Sequence, residues 1–222
     1  MNKTHQIIAT AALMTICFGA HAQSAGTKMI RIGGTQITPQ VTSGNMTAPS
    51  FPNTQTDVGS DTQLGGGLTY MYTDYLSIDL PLAMPFTHKL LGAGALAGAG
   101  QVGSVKALPF TVFGQYRFNE PVALFRPYVG IGITYAYFYD ETGSGALTAT
   151  TNPGGSPTKL SVGSKFALTP QIGFSYVLNE KWTLDTSYSK TFLKNRTTFS
   201  TGQTIDTTLN PDTFSIGLGM KF

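Results

Sequence analysis

The chain ends with the stretch Phe214-Ser-Ile216-Gly-Leu218-Gly-Met220-Lys-Phe222, in which apolar residues alternate strictly with small or polar ones. This period of two is typical of a β-strand, because successive side chains point to opposite faces. Five apolar side chains share one face, and the other face carries Ser215, Gly217, Gly219 and Lys221. Nine residues suffice to cross a bilayer as a tilted strand. The stretch therefore predicts a membrane-spanning strand with an outward apolar face.

The composition favours the same interpretation. Charged residues make up 11% of the chain, whereas soluble domains carry about 25%. A soluble lipocalin-like barrel is the alternative, but it would turn these apolar faces inward and need many more charges outside. No run after the first 22 residues approaches the 18 apolar residues of a spanning helix. The 14 basic and 11 acidic residues form no basic cluster, so nucleic acid is not an expected partner.

The amino terminus predicts export. Lys3 and His5 form a short basic lead, residues 7–20 are apolar but too short to span a membrane, and Ala20-His21-Ala22 has the small-x-small pattern of a cleavage site. We therefore expect a signal peptide over residues 1–22 and a barrel over residues 23–222. The single cysteine, Cys17, lies inside the predicted signal peptide.

Eight alternating segments follow, and short and long connections separate them in turn. Three short turns lie at residues 73–74, 119–121 and 179–181; the long loops are residues 40–59, 91–103, 142–164 and 199–206. This pattern predicts an all-β fold: an eight-stranded antiparallel transmembrane β-barrel with short periplasmic turns and long extracellular loops, in the outer membrane of a Gram-negative cell. In the third segment we expect these side chains to face outward: Leu76, Ile78, Leu80, Leu82, Met84 and Phe86.

The side chains on the inner faces predict a polar lower lumen. An eight-stranded barrel is just wide enough to be filled by side chains or to hold one small ligand. Near the periplasmic end the inward positions form a polar plug that consists of Arg31, Asp79, Arg117, Arg126 and Asp185. Charges in a low-dielectric interior must pair. We therefore expect the two aspartates to pair with Arg117, Arg126 or Arg31.

Nearer the outside, the inward positions become apolar. They comprise Ala83, Pro85, Ala107, Pro109, Phe113, Phe138 and Leu193. This set predicts a ligand pocket above the polar plug, and simple filling of the core is the alternative. A proline inside a paired strand removes a hydrogen bond of the ladder. Pro81, Pro85 and Pro109 on neighbouring strands therefore predict either a side opening towards lipid or bulges that only shape the wall.

Several segments resemble the OmpW/AlkL family. They are Pro85-Phe86-Thr87-His88-Lys89, Leu108-Pro109, Arg126-Pro127-Tyr128-Val129-Gly130-Ile131-Gly132 and the final Gly219-Met220-Lys221-Phe222. The resemblance follows essentially the whole predicted mature chain in order. It implies an eight-stranded outer-membrane barrel that passes small hydrophobic molecules through lateral diffusion. Loops 40–59 and 142–164 look individual to this protein, so the identity of the solute does not carry over.

Enzymatic activity is not expected. After cleavage His88 is the sole histidine, near the outer rim, with Ser104 as the nearest serine on the adjacent strand and no accompanying acid in sequence. No His/Cys/Asp cluster has metal-ligand spacing. Residues 98–103 match the G-x-G-x-x-G pattern of dinucleotide sites, but strands lie on both sides of them. No cofactor is therefore expected.

The predicted partners are small hydrophobic solutes, outer-membrane lipids and lipopolysaccharide. The alternative function is that of a structural or receptor-like surface barrel that acts through its extracellular loops.

Overall fold

A computed structural model describes residues 23–222 of the chain, and the predicted signal peptide lies outside the described residues. The described residues form mostly β-strands, together with one short α-helix. In chain order the elements are β1 (Lys28–Thr38), β2 (Thr42–Ser43), β3 (Thr54–Val58), β4 (Asp61–Met71), β5 (Leu76–Ala83), β6 (Phe86–Gly94), β7 (Gln101–Arg117), β8 (Phe125–Gly143), α1 (Gly145–Thr151), β9 (Leu160–Val162), β10 (Lys165–Val177), β11 (Trp182–Lys190), β12 (Lys194–Phe199), β13 (Thr204–Thr208) and β14 (Asp212–Lys221). Among residues 23–222, no helix is long and apolar enough to cross a membrane.

Eight antiparallel strands close into a barrel, as predicted. Their order around the wall is β1, β4, β5, β7, β8, β10, β11 and β14, and β14 pairs again with β1 from Met29 opposite Lys221 to Thr38 opposite Asp212. β6 continues β5 along the same side of β7. The three short turns and both ends of the described chain lie at one end of the barrel, which is the periplasmic end.

The outer surface of the barrel is apolar, which confirms the predicted orientation of most strands. Exposed side chains alternate with buried ones along β14, where Phe214, Ile216 and Leu218 point outward. Close backbone contact occurs where Gly33 of β1 lies opposite Gly217. A Cβ atom on Gly33 would come within 2.0 Å of the carbonyl oxygen of Ile216. Only glycine therefore fits at this point of the wall.

The prediction for Phe86 is wrong. Met84 is exposed as predicted, but Phe86 is fully buried, and Thr87 and Lys89 point outward instead. The pairing with β7 explains the inversion. Six residues on one side (80–85) face five on the other (108–112), between the pairs Asp79–Phe113 and Phe86–Ala107. One additional residue reverses which face each later side chain occupies.

The predicted long loops are largely ordered. Parts of them form β3, the outer ends of β6, β7 and β8, the helix α1, and a separate four-stranded sheet in the order β2–β13–β12–β9. An apolar cluster joins these elements, and it comprises Met46, Leu96, Val102, Val105, Leu147, Leu160, Val162, Phe199 and Ile205. The extracellular half of the protein therefore has a hydrophobic core of its own.

Candidate solute-binding cavity

A long cavity occupies the inside of the barrel and extends into the extracellular half. The free space between its lining atoms is about 1740 Å³, which includes space open to solvent. Its lining changes in character along the barrel axis. Charged side chains lie at its base, hydroxyl groups lie at the middle, and apolar side chains line the upper part.

The base of the cavity is an ion-paired group that we call the basal cluster, formed by Arg31, Asp79 and Asp185. The Nη2 atom of Arg31 lies 2.8 Å from a carboxylate oxygen of Asp79, and its Nη1 atom lies 3.7 Å from Asp185. The hydroxyl of Thr69 donates to Asp79 at 2.6 Å and accepts from Arg31 at 2.8 Å. Both predicted carboxylates thus share the same arginine, one of the three candidate partners.

Below the basal cluster, two arginines fill the periplasmic end. Arg117 is fully buried and donates to Ser175 at 2.8 Å, to Gln115 at 2.9 Å and to Ser77 at 3.1 Å. Its guanidinium also lies over the ring of Tyr128 at 4.6 Å. These contacts satisfy the cation without a carboxylate.

Arg126 is likewise fully buried but binds backbone carbonyl oxygens. It donates to Asp74 at 2.6 Å and to Gln23 at 2.7 Å. Gln23 is the residue predicted to begin the mature chain, and its side-chain oxygen accepts from Arg117 at 3.4 Å. The first described residue thus contributes to closing the periplasmic end. No ion pair of Arg117 or Arg126 occurs within residues 23–222.

Four buried threonines line the middle of the cavity, and we call them the threonine chain. The Thr111 and Thr134 hydroxyls are 2.8 Å apart, those of Thr134 and Thr169 are 2.6 Å apart, and Thr169 donates to Thr191 at 3.1 Å. The chain crosses β7, β8 and β10 and reaches the residue that follows β11. It provides uncharged polar groups directly above the glutamine pair Gln115–Gln171, which are joined at 2.8 Å.

The upper part of the cavity, the upper chamber, is apolar. Six of the seven residues predicted to form this pocket line it: Ala83, Ala107, Pro109, Phe113, Phe138 and Leu193. Pro85 does not; the structure places it, half-buried, at the break between β5 and β6. Because Phe86 is turned inward by the register change, it takes part in the lining instead.

Sequence reasoning missed the contribution of the extracellular segments to the upper chamber. Val102, Leu147, Leu160, Val162, Phe199 and Ile205 all belong to predicted loops or loop borders, and all line the cavity. The alternation Leu160-Ser161-Val162 and the run Thr204–Thr208 were the available signals for strands. Both runs are too short to distinguish from polar loops by periodicity.

The wall of the cavity is interrupted between β5 and β7, and we call residues 80–85 and 108–112 the β5–β7 seam. Arg117 on β7 donates its backbone N–H to the oxygen of Tyr75, at 2.7 Å. Backbone groups of alternate residues point to the same neighbour, so the series continues through Ser77 with Gln115 and Asp79 with Phe113. The pairs after these would be Pro81 with Thr111 and Ala83 with Pro109. Each pair contains a proline, which has no N–H to donate. Pairing is accordingly absent over the seam and resumes at Phe86 opposite Ala107.

His88 lies in the upper chamber wall, above the apolar outer band, since its neighbours Thr87 and Lys89 are exposed. Its Nδ1 atom is 2.8 Å from the carbonyl oxygen of Gly59, and its ring stacks on Phe86 with 6.3 Å between centroids. Burial lowers the pKa of His88 below its usual value, and the Gly59 hydrogen bond and Asp61 only partly offset this effect. The residue predicted at the rim therefore holds β6 against the start of β4 as a neutral imidazole.

Residues 23–222 contain no group of three His, Cys, Asp or Glu side chains that could hold a metal ion. The arrangement offers a polar end with buried arginines, an uncharged hydroxyl-lined middle and an apolar chamber with an interrupted wall. Such a cavity can bind a small molecule.

Comparisons with known proteins agree with this architecture. A family model described as the OmpW family matches residues 24–222. Outer membrane protein W of Vibrio cholerae serotype O1 is 36% identical over 218 residues, with 96% of this chain and 95% of that protein covered. Outer membrane protein AlkL of Ectopseudomonas oleovorans is 26% identical over 179 residues, which cover 80% of this chain and 73% of that protein.

The crystal structure of the outer membrane protein OprG from Pseudomonas aeruginosa has the same fold, with a TM-score of 0.82 and 27% identity. The similarity covers 91% of this chain and 98% of that one. The family match spans nearly the whole described barrel, and the relatives are outer-membrane proteins. This chain is therefore an outer-membrane protein and belongs to the OmpW family.

Proposed function

We propose that this protein passes small hydrophobic molecules across the outer membrane. The solute enters the upper chamber from outside and leaves sideways through the β5–β7 seam into the membrane. The observation that carries the proposal is the position of the seam. The interrupted pairing lies beside the apolar part of the cavity, where Ala83 and Pro109 line the lumen.

The periplasmic end supports a sideways exit. Arg117 and Arg126 are fully buried there, and the basal cluster lies above them. An apolar solute that continued downward would have to displace charged, hydrogen-bonded side chains, which is costly in a low-dielectric interior. In this proposal the predicted plug residues Arg31, Asp79, Arg117, Arg126 and Asp185 block the axial path.

The apolar exterior of the seam also supports the exit. Leu82 lines the cavity and is nevertheless 50% exposed on the outer surface. Phe110 and Val112, on the other side of the seam, are exposed as well. A hydrophobic molecule that moves between these side chains exchanges one apolar environment for another, so no desolvation of polar groups opposes it.

The experiment is uptake of an n-alkane by cells that lack their own copy of the protein and produce a variant. We expect the double variant Pro81→Ala/Pro109→Ala to slow uptake, because each alanine returns an N–H to the seam and allows the ladder to close. Pro170→Ala is the matched control, since Pro170 lies within β10 where pairing with β8 continues unbroken. The proposal would be contradicted if cells that produce the native chain took up the alkane no faster than cells that lack it.

The alternative is a surface receptor that acts through its loops. The extracellular sheet provides a place for such contacts, but its inner face already packs on the apolar cluster and lines the cavity. We therefore assign these segments to the upper chamber, and we propose no enzymatic role. His88 engages the carbonyl of Gly59 rather than a serine, and Ser104 lies opposite Lys89 instead.

A further inference from the structure

One wall of the cavity is formed by a continuous row of inward-facing side chains on β11, on β12 and on the residues between them. Alternate residues from Asp185 to Phe199 all line the cavity, and three of them in sequence carry hydroxyl groups. We call Ser187, Ser189 and Thr191 the hydroxyl row. Alternation continues through the break between the strands because Phe192 donates its N–H to Leu168 at 2.9 Å. The row therefore connects the basal cluster with the upper chamber.

The hydrogen bonds of the threonine chain leave one hydroxyl proton of the hydroxyl row without an acceptor. Each hydroxyl has a single proton to donate. Because Thr169 donates to Thr191, its contact with Thr134 requires Thr134 as the donor. By the same reasoning Thr111 donates to Thr134. The chain thus runs in one direction and ends at Thr191, whose own proton has no acceptor among the hydrogen bonds of residues 23–222.

A second polar group on the same wall has no partner. The side-chain amide of Asn195 donates from Nδ2 to Gly163 at 2.8 Å, which fixes the orientation of the amide. Its Oδ1 atom is buried and accepts no hydrogen bond within the described chain. Leaving such a buried acceptor unpaired is unfavourable. The wall thus contains an available donor at Thr191 and an available acceptor at Asn195, about 13 Å apart along the strand.

The hydroxyl row lies across the lumen from the β5–β7 seam. In the ring of eight strands, β11 is four strands away from β5 in either direction. A solute whose polar group contacts the hydroxyl row therefore directs its apolar part towards the seam. Its long axis is then already oriented for a sideways exit.

The charges of the cavity restrict the polar group further. The aspartate and arginine side chains that line the cavity in the described chain are Asp79, Asp185 and Arg31. Arg31 pairs with both aspartates. No unpaired cation is present to hold a carboxylate. A neutral hydroxyl or carbonyl group can exchange hydrogen bonds with the hydroxyl row without any countercharge.

We infer that the hydroxyl row is a binding subsite for the polar group of uncharged amphiphiles, such as medium-chain alcohols. The subsite selects them over alkanes of equal length and over the corresponding carboxylates. This inference rests on the proposed function and names its substrate class. It assigns binding to Ser187, Ser189 and Thr191, and it places the alkyl chain in the upper chamber.

The test compares uptake of 1-octanol, n-octane and octanoate by cells that produce the native chain or the variant Ser187→Ala/Ser189→Ala/Thr191→Val. We expect 1-octanol uptake to fall about three- to tenfold in the variant, the effect of losing one hydrogen bond. Uptake of n-octane stays unchanged. Thr186→Val is the control, because Thr186 lies on the same strand but points outward.

A second measurement does not depend on transport. In lipid nanodiscs, 1-octanol is expected to shift the amide resonances of Ser187, Ser189 and Thr191, whereas n-octane shifts only those of the upper chamber. Unchanged 1-octanol uptake in a correctly folded variant, or an equal loss for both solutes, overturns the inference and leaves the proposed function intact. If the native chain takes up neither solute, the proposed function fails and the inference fails with it.

Discussion

The guanidinium of Arg117 lies over the ring of Tyr128, with 4.6 Å between its Cζ atom and the ring centroid. Both side chains are almost completely buried inside the barrel near its periplasmic end. The contact combines a cation–π interaction with hydrogen bonds to three neighbouring polar side chains. It explains how an arginine without an ion pair is accommodated inside the barrel.

The first prediction concerns this contact. Arg117→Ala removes one of the two fully buried arginines at the periplasmic end, and we expect it to open an aqueous path through the barrel. The measurement is single-channel conductance in planar bilayers, where the variant should conduct ions more than the native chain does. Arg196→Ala is the control, since Arg196 is an exposed extracellular residue paired with Asp206. Equal conductance for Arg117→Ala and the native chain would show that other residues close the path.

The second prediction concerns the basal cluster. Asp79 is 1% exposed and accepts from Arg31 and Thr69. Asp79→Asn leaves Arg31 with Asp185 at 3.7 Å as its remaining carboxylate. Breaking a buried ion pair costs about 3–5 kcal/mol, and we expect a loss of unfolding free energy near the lower end of that range. Urea unfolding in vesicles, followed by the fluorescence of the single tryptophan Trp182, measures it. Asp206→Asn, in an exposed pair, should have little effect.

The third prediction concerns Gln23. Its Nε2 atom is buried without a partner, although two guanidiniums lie close to the residue. Gln23→Glu replaces that atom with an acceptor and adds a negative charge beside Arg117 and Arg126. We expect the unfolding free energy to rise by about 1.5–3 kcal/mol, as for a hydrogen bond to a charged group. Gln23→Ala, which removes the bond to Arg117, should lower it. A less stable glutamate variant would contradict the expectation.

The fourth prediction concerns pH. Because burial lowers the pKa of His88 from its ordinary value of 6.5, the folded chain binds fewer protons than the unfolded chain at this position. The contribution of the neutral imidazole to the free energy of unfolding is therefore fully present above pH 6.5. It is lost as the pH falls from 6.5 through the lower pKa that His88 has in the folded chain. His88 is the sole histidine after residue 22, so one imidazole resonance in an NMR titration reports its pKa. A midpoint above 6.5 would refute the assignment, and His88→Asn should remove the pH dependence.

Much of the fold could be predicted from local alternation. The pattern around Ile216 and Leu218 indicates a lipid-facing strand because side-chain orientation follows directly from the period of two. Phe86 could not be predicted in this way, since one additional residue at the β5–β6 break reverses the pattern and periodicity does not locate that residue. The sequence therefore predicts which strands exist better than where their register changes.

The site was predicted in part for a similar reason. Arg31, Asp79 and Asp185 could be assigned to the lower lumen from their inward positions. Which of these side chains pair depends on their relative positions along the barrel axis. The stagger between the strands of the barrel determines those positions. The hydrogen bonds of Arg117 and Arg126 to neutral groups depend on the same positions. Short segments such as Leu160–Val162 acquire their strand structure from tertiary pairing, so a single sequence carries little signal for them.

The additional residue near Pro85 determines which apolar side chains a hydrophobic solute meets between the cavity and the membrane. Below it, the even-numbered side chains of this wall strand, such as Leu82, coat the exterior; above it, those of Phe86 and Leu90 turn to the interior. The apolar row Leu82, Met84 and Phe86 thus passes from the outside of the protein to its inside along β5 and β6. In the proposed sideways exit, a solute that follows this row would move from the chamber to the bilayer past apolar side chains only.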